Sequence, residues 1–159
     1  MKIAISGGSS DLGVALAEWL TAKGHTIELL GRGPGLRKFD LARSDYDIST
    51  DWDVFIHAAW DWTSAKEEAE KVNITNLIPL LKELSQVETK LVLISTVSAF
   101  KEAHSDYGQL KFRLEQEFAD LGGQSVRCGL IWGRQVSGMM RTLFKLSRIP
   151  IFCAHLSPE

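Results

Sequence analysis

Short strand-forming runs alternate with helical periodicity along this chain, beginning with Lys2-Ile3-Ala4-Ile5-Ser6, which passes through Gly7-Gly8 directly into a helix. Repetition of such units, each strand returning to one sheet by a crossover, predicts a parallel sheet covered on both faces. In the first helix Leu12, Ala15, Leu16, Trp19 and Leu20 recur at helical spacing and Gly24 supplies the stop. Residues 26–30 read as the second strand, closed by Gly31 and the turn-rich Gly33-Pro34-Gly35, and a weaker third run reaches Phe39 and Asp40. Residues 53–59 form a fourth, nearly continuous in apolar side chains, as strands buried on both faces are.

A helix over residues 64–84 follows, with Val72, Leu77, Leu80, Leu81 and Leu84 inward and a bend at Pro79. Residues 90–95 are the fifth strand. The next helix carries Tyr107, Leu110, Lys111, Leu114 and Phe118 and stops at Gly122-Gly123. Residues 125–132 are the sixth strand, residues 139–146 look helical, and residues 149–152 trail off without a partner. Trp19, Trp52 and Trp132 read as packing groups.

The chain has 159 residues, 45% of them hydrophobic and 24% charged, with a net charge of −2. That length fits one domain, and the composition excludes disorder and collagen-like repeats. Interspersed charge of nearly zero sum removes the basic footprint of a nucleic-acid binder. No apolar run is long enough to span a bilayer, and Met1-Lys2-Ile3 leads into a strand and not a signal peptide. Cys128 and Cys153 make neither a disulfide framework nor a metal cluster and read as small buried groups in a reducing cytosol. A cytoplasmic protein acting on a small molecule, with no nucleic acid, membrane or metal, is the expectation.

The stretch Gly7, Gly8, Ser9, Ser10, Asp11, Leu12, Gly13 lies between first strand and first helix. Glycines there let the backbone turn sharply and approach a pyrophosphate, while the helix presents N–H groups and the positive end of its dipole. The plain alternative is a strand-to-helix turn with Asp11 balancing the dipole. Asp11 pointing into solvent costs the cradle little; Asp11 pointing at a phosphate weakens it. A site preferring NAD(H) usually carries an acidic residue at the end of the second strand, to accept from the ribose hydroxyls. Here Gly31 is followed by Arg32, whose planar fork suits a 2′-phosphate. The expected cofactor is therefore NADP(H) in preference to NAD(H), with Arg32 as a solvated turn residue the alternative.

Tyr107 and Lys111, four residues apart, share one helical face. A phenol is a poor base at neutral pH, and a nearby cation lowers its pKa. Ser95-Thr96-Val97-Ser98 ends the fifth strand, on the edge where ligands gather in open α/β sheets. Trp60 and Trp62 follow the fourth strand on the same edge, either as an aromatic wall for substrate or as packing. His57, a lone histidine at a strand end, reads as a packed or hydrogen-bonded group.

Taken in order, the glycine turn, His57-Ala58-Ala59, Asn73, Ser95-Thr96, Tyr107…Lys111 and Val126-Arg127-Cys128-Gly129 resemble the short-chain dehydrogenase/reductase superfamily, in its extended epimerase/dehydratase branch. Ser10 stands where many relatives have glycine, and Cys128 where the family usually has proline. The resemblance spans essentially the whole chain. It implies a three-layer doubly wound Rossmann sheet of strand order 3-2-1-4-5-6, with residues 1–159 as one NAD(P)-binding domain. It makes Tyr107 the general acid/base, Lys111 its partner and ribose ligand, and Thr96 the hydroxyl that binds the substrate oxygen, with Ser98 an outside candidate. Asp40 and Leu41 match the adenine-contacting positions, Ala58 and Ala59 pass close under the cofactor, and Asn73 hydrogen-bonds near the site.

Extended members continue into a substrate-recognising region, of which residues 139–159 would be the start, so the chain is expected to be truncated there. Nucleotide-sugar or polysaccharide chemistry is the setting the resemblance implies. The two long helices, residues 64–84 and 107–121, match the family's dimer face. A non-catalytic NADP(H) sensor and an inactive remnant are the competing readings. Epimerases and dehydratases usually retain NAD, whereas Arg32 points to NADP(H) and net reduction.

Overall fold

The computed structural model describes residues 1–46, 51–131 and Lys145. Two compact units divide the chain, Met1–Cys128 and Gly129–Glu159. The expected helix over 139–146, the tail at 149–152, Trp132, Cys153 and the expected start of a substrate region lie outside the described residues, Lys145 excepted.

The first unit is built on six parallel strands: β1 (Lys2–Ser6), β2 (Thr26–Gly31), β3 (Arg37–Lys38), β4 (Val54–His57), β5 (Lys90–Thr96) and β6 (Gln124–Cys128). Their order is β3-β2-β1-β4-β5-β6, the predicted doubly wound arrangement. Strand β1 is central, with Ile5 opposite Leu29 of β2 and Ile56 of β4. The direction of strand order reverses beside it, and in such sheets ligands bind in the crevice beyond the carboxyl ends at that point.

Period-two alternation divides the strands between two cores. Ile3, Ile5 and Val54 pack with Ala17 of helix α1 (Asp11–Ala22) on one face. Ala4, Phe55, Leu91 and Leu93 face the other side. There they meet Leu80, Leu81 and Leu84 of one helix and Leu114 and Phe118 of another. Phe55, Leu93, Leu114 and Phe118 are fully buried, and each such side chain contributes about 1.5–3 kcal/mol relative to exposure. Trp52 is in this core, and Trp19 is exposed on α1.

The expected single helix over residues 64–84 is three pieces. Helix α2 covers Lys66–Glu70, a π-helical stretch covers Lys71–Thr75, and helix α3 covers Ile78–Gln86. The bend therefore precedes Pro79, which sits in the first turn of α3, where a proline costs no hydrogen bond. Buried Asn73 lies inside the π-helical stretch, and such bulges recur where a helix serves a site. Helix α4 (Asp106–Asp120) starts where expected, with the Ser105 hydroxyl accepting from Gly108 N at 3.1 Å. Among the described residues no helix is long and apolar enough to cross a membrane.

Candidate functional site

The glycine turn is held by its own backbone. Gly7 has φ +75°, and a Cβ placed there would lie 2.9 Å from Ala58 C and Ala59 N, so only glycine lets β1 turn against the end of β4. A Cβ on Gly13 would strike Gly7 O, which is why α1 can sit directly on the turn. Ser10 is the N-cap of α1: its hydroxyl accepts from Gly13 N at 3.0 Å and donates to Gly7 O at 2.7 Å. The missing glycine at this position is thus replaced by a cap. Asp11 is exposed in the first turn of α1 and does not line the adjoining cavity.

That cavity, about 300 Å³, is lined by Gly7, Ser9, Ser10, Gly31, Arg32, Phe39, Asp40, Leu41, Ala58, Ala59, Trp60, Asp61 and Trp62. It lies at the low end of the roughly 300–1,000 Å³ of ordinary ligand sites. A close-approach turn, a helix N-terminus, a cation and small side chains together fit the phosphate-and-nucleoside part of a dinucleotide. Asp40 bends the chain by accepting from Ala42 N at 3.1 Å, and Leu41 is fixed through its carbonyl by Asn76. Gly8, Leu12, Gly13 and Asn73 are not part of this lining, though Gly13 N bonds to Ser10 Oγ and Asn73 to the Asp61 backbone.

Asn73 acts on the loop after β4. Its Oδ1 accepts from Asp61 N at 2.7 Å, and its Nδ2 donates to Asp61 O and Ala69 O at 3.1 and 3.0 Å. Asp61 went unnoticed in the sequence, although a carboxylate two and three residues ahead of Thr63-Ser64 is the pattern of a side-chain-closed turn. Burial alone would raise its pKa, but hydrogen bonds from Thr63 and Ser64 hold it below the ordinary carboxylate range. Its other oxygen lies 3.8 Å from Arg32 Nη1.

Past Trp60 and Trp62 comes the second half of the site. Both rings line the cavity and both pack on Tyr107, with centroids 5.2 and 4.7 Å away. The phenol is therefore approached from the cavity past two tryptophans. Lys111, 3% exposed, donates to Ile94 O at 3.0 Å and stands 4.6 Å from the centre of the Trp60 ring. Burial lowers its pKa to about 8, against the charges of Glu115 and Cys128, which raise it. Burial and then the nearby Cys128 raise the pKa of Tyr107. The direction is opposite to the expected lowering by Lys111: the amine is turned to a carbonyl and an indole face, and burial is the leading cause at the phenol.

Thr96 is half-buried at the end of β5, its Oγ1 accepting from Ser98 N at 3.2 Å, and Ser98 is exposed. Cys128 is the register partner of Thr96 at the tip of β6. Glu115, one helical turn beyond Lys111, takes Arg127 through bonds of 2.9, 3.3 and 2.7 Å. Burial raises the Glu115 pKa, but these bonds leave it below the usual value. His57 is fully buried, with Nδ1 2.8 Å from Ser6 Oγ. Burial and then Lys111 push its pKa down to about 3, so it stays neutral and is a packing group as expected.

No family model matches the chain. An uncharacterized protein of Mycobacterium tuberculosis and one of Mycobacterium bovis are each 28% identical to it over 162 residues, 94% of this chain and 17% of theirs. The chain thus spans about a sixth of the length of these curated relatives. Among solved structures, UDP-N-acetylglucosamine 4-epimerase from Bacillus cereus superposes with a TM-score of 0.71 at 23% identity, over 89% of this chain and 65% of that one. A dTDP-4-dehydrorhamnose reductase from Clostridium acetobutylicum gives 0.72 at 22%, over 92% and 59%. A short-chain dehydrogenase/reductase superfamily protein from Agrobacterium tumefaciens, with bound NAD, gives 0.60 at 19%, over 74% and 44%. At these identities the likeness is one of fold alone, the doubly wound parallel sheet that this epimerase, this reductase and this short-chain dehydrogenase/reductase superfamily protein share.

Proposed function

We propose that the chain is a nicotinamide-dependent oxidoreductase of the short-chain dehydrogenase/reductase kind, working on a hydroxyl or carbonyl carbon. The observation that carries this reading is one continuous sheet edge. On it the glycine turn and Arg32 open a cavity whose far wall, Trp60 and Trp62, rests on Tyr107. Gly7, Ser9 and Ser10 would hold the pyrophosphate, Asp40 and Leu41 the adenine, and Ala58 and Ala59 the underside. Arg32 favours NADP(H) over NAD(H) by gripping a 2′-phosphate.

The bound cofactor supplies or accepts a hydride. Tyr107 handles the proton on the adjoining substrate oxygen, and Thr96 orients that oxygen. A tyrosine phenol is protonated at neutral pH, and burial shifts Tyr107 further in that direction, so the role proposed for it is to donate, which matches reduction of a carbonyl. Lys111 would move from Ile94 O to the ribose and the phenol once Trp60 gives way. A nucleotide-sugar substrate, a cytosolic location and a homodimer through α2–α3 and α4 belong to the same proposal; size-exclusion chromatography with light scattering checks the last.

One observation favours a second reading. The tryptophans cover the phenol, and the amine is already engaged, as a sensor that binds cofactor without turnover would allow. Titration with NADPH and NADH, followed by turnover assays on carbonyl substrates with wild type and Tyr107→Phe, separates the two. Binding with Tyr107-dependent turnover supports the enzyme, binding without turnover the sensor, and no binding refutes both.

A further inference from the structure

Arg32 and Asp61 reach the same cavity from different strands, Arg32 directly after β2 and Asp61 from the loop after β4. The Asp61 carboxylate divides its two oxygens between different tasks. Oδ1 accepts from Thr63 N at 2.8 Å, Thr63 Oγ1 and Ser64 N at 2.9 Å, and Ser64 Oγ at 3.1 Å. Oδ2 faces the Arg32 guanidinium at 3.8 Å. Asn73 grips the Asp61 backbone on both its N–H and its carbonyl. The carboxylate, 10% exposed, is therefore built into the wall, while Arg32, 65% exposed, is the partner with room to turn.

From this division we infer that Asp61 is a specificity-determining residue for the nucleotide: its Oδ2 competes with a ribose 2′-phosphate for the Arg32 guanidinium. The inference rests on the dinucleotide reading above and sharpens it. A phosphate monoester carries close to two negative charges and takes an arginine through two parallel bonds. It meets repulsion from a fixed carboxylate beside that arginine. A 2′-hydroxyl meets none, because it is a donor that a carboxylate oxygen accepts. Arg32 pushes the choice toward the phosphorylated cofactor and Asp61 pulls it back, so the wild-type preference is the difference between the two.

Isothermal titration of the full chain with NADP⁺ and NAD⁺, which differ by the 2′-phosphate alone, tests this. Asp61→Asn keeps an oxygen for Thr63 and Ser64 and removes the charge. It should tighten NADP⁺ about tenfold, which is about 1.4 kcal/mol, and leave NAD⁺ unchanged or slightly weaker. Adding Arg32→Ala in the same chain should erase the gain, as coupled neighbours do. Asp61→Ser, which keeps a hydroxyl acceptor, should move in the same direction. Unchanged or weaker NADP⁺ binding in Asp61→Asn, with NAD⁺ intact, overturns the inference and leaves the dinucleotide site standing. Loss of both ligands in Asp61→Asn and Asp61→Ser marks a purely scaffolding loop and overturns it too. A wild-type chain that binds neither nucleotide overturns both the inference and the reading beneath it.

Discussion

At the Arg32 end of the cavity the polar groups border open space: a glycine turn, a capped helix start, and a guanidinium 3.8 Å from the Asp61 carboxylate. At the Tyr107 end the protein's own side chains occupy the equivalent ground. Trp60 lines the cavity with the Lys111 amine over its ring, and Trp62 packs at a tilt against the phenol. One end is an open cavity and the other is packed with side chains. The difference shows how cradle and chemistry are specified by different forces. The cradle follows from backbone sterics at Gly7 and Gly13, whereas the reactive end depends on burial and on a loop from a distant strand.

Turnover should separate the two ends most sharply. Tyr107→Phe is expected to lower turnover by about 10²–10⁴-fold, the range of a lost proton donor, while the cofactor affinity measured by titration stays the same. A parallel loss of affinity would show that the two ends are one. Gly7→Ala breaks the other end: a Cβ against Ala58 and Ala59 in the left-handed region should cost about 2–4 kcal/mol of stability, read as a shift in the urea midpoint. Asn73→Ala strikes the loop that joins them. It strands the Asp61 N–H and should cost about 1–3 kcal/mol, with tryptophan fluorescence shifting as Trp60 and Trp62 loosen.

A smaller effect comes from pH. The folded chain releases the Lys111 proton at about 8, against an ordinary lysine value of 10.5, so the unfolded chain holds more protons between those limits. Stability should therefore rise with pH across that window, by roughly 1 kcal/mol per pH unit. Lys111→Met should flatten that rise in denaturation curves recorded between the two values. A wild-type curve already flat there would place the amine in water and remove the contrast between the two ends.

The fold was legible because its signals are local and repeated. The strand-to-helix turn at Gly7-Gly8, the nearly continuous apolar run of β4 and the alternation of strands with helices predict a parallel sheet covered on both faces, and the family resemblance implies its doubly wound order. The break before Pro79 was not legible: it includes Asn73, whose hydrogen-bond partner Asp61 lies twelve residues upstream. The candidate site residues were named, yet the state of Tyr107 was misjudged. Spacing puts Lys111 on the same helical face, but burial and the position of Trp60, set by tertiary packing, decide where the amine points. Asp61 escaped notice for a similar reason: nothing in the sequence shows that a residue after β4 faces one after β2.

Isothermal titration of the wild-type chain with NADPH, repeated on Arg32→Ala, tests the receptor end most directly. The expected result is saturable binding of one NADPH per chain, weakened at least about tenfold by Arg32→Ala, with NADH binding unaffected. Absence of binding by either cofactor would contradict it and leave the sheet edge without a nucleotide.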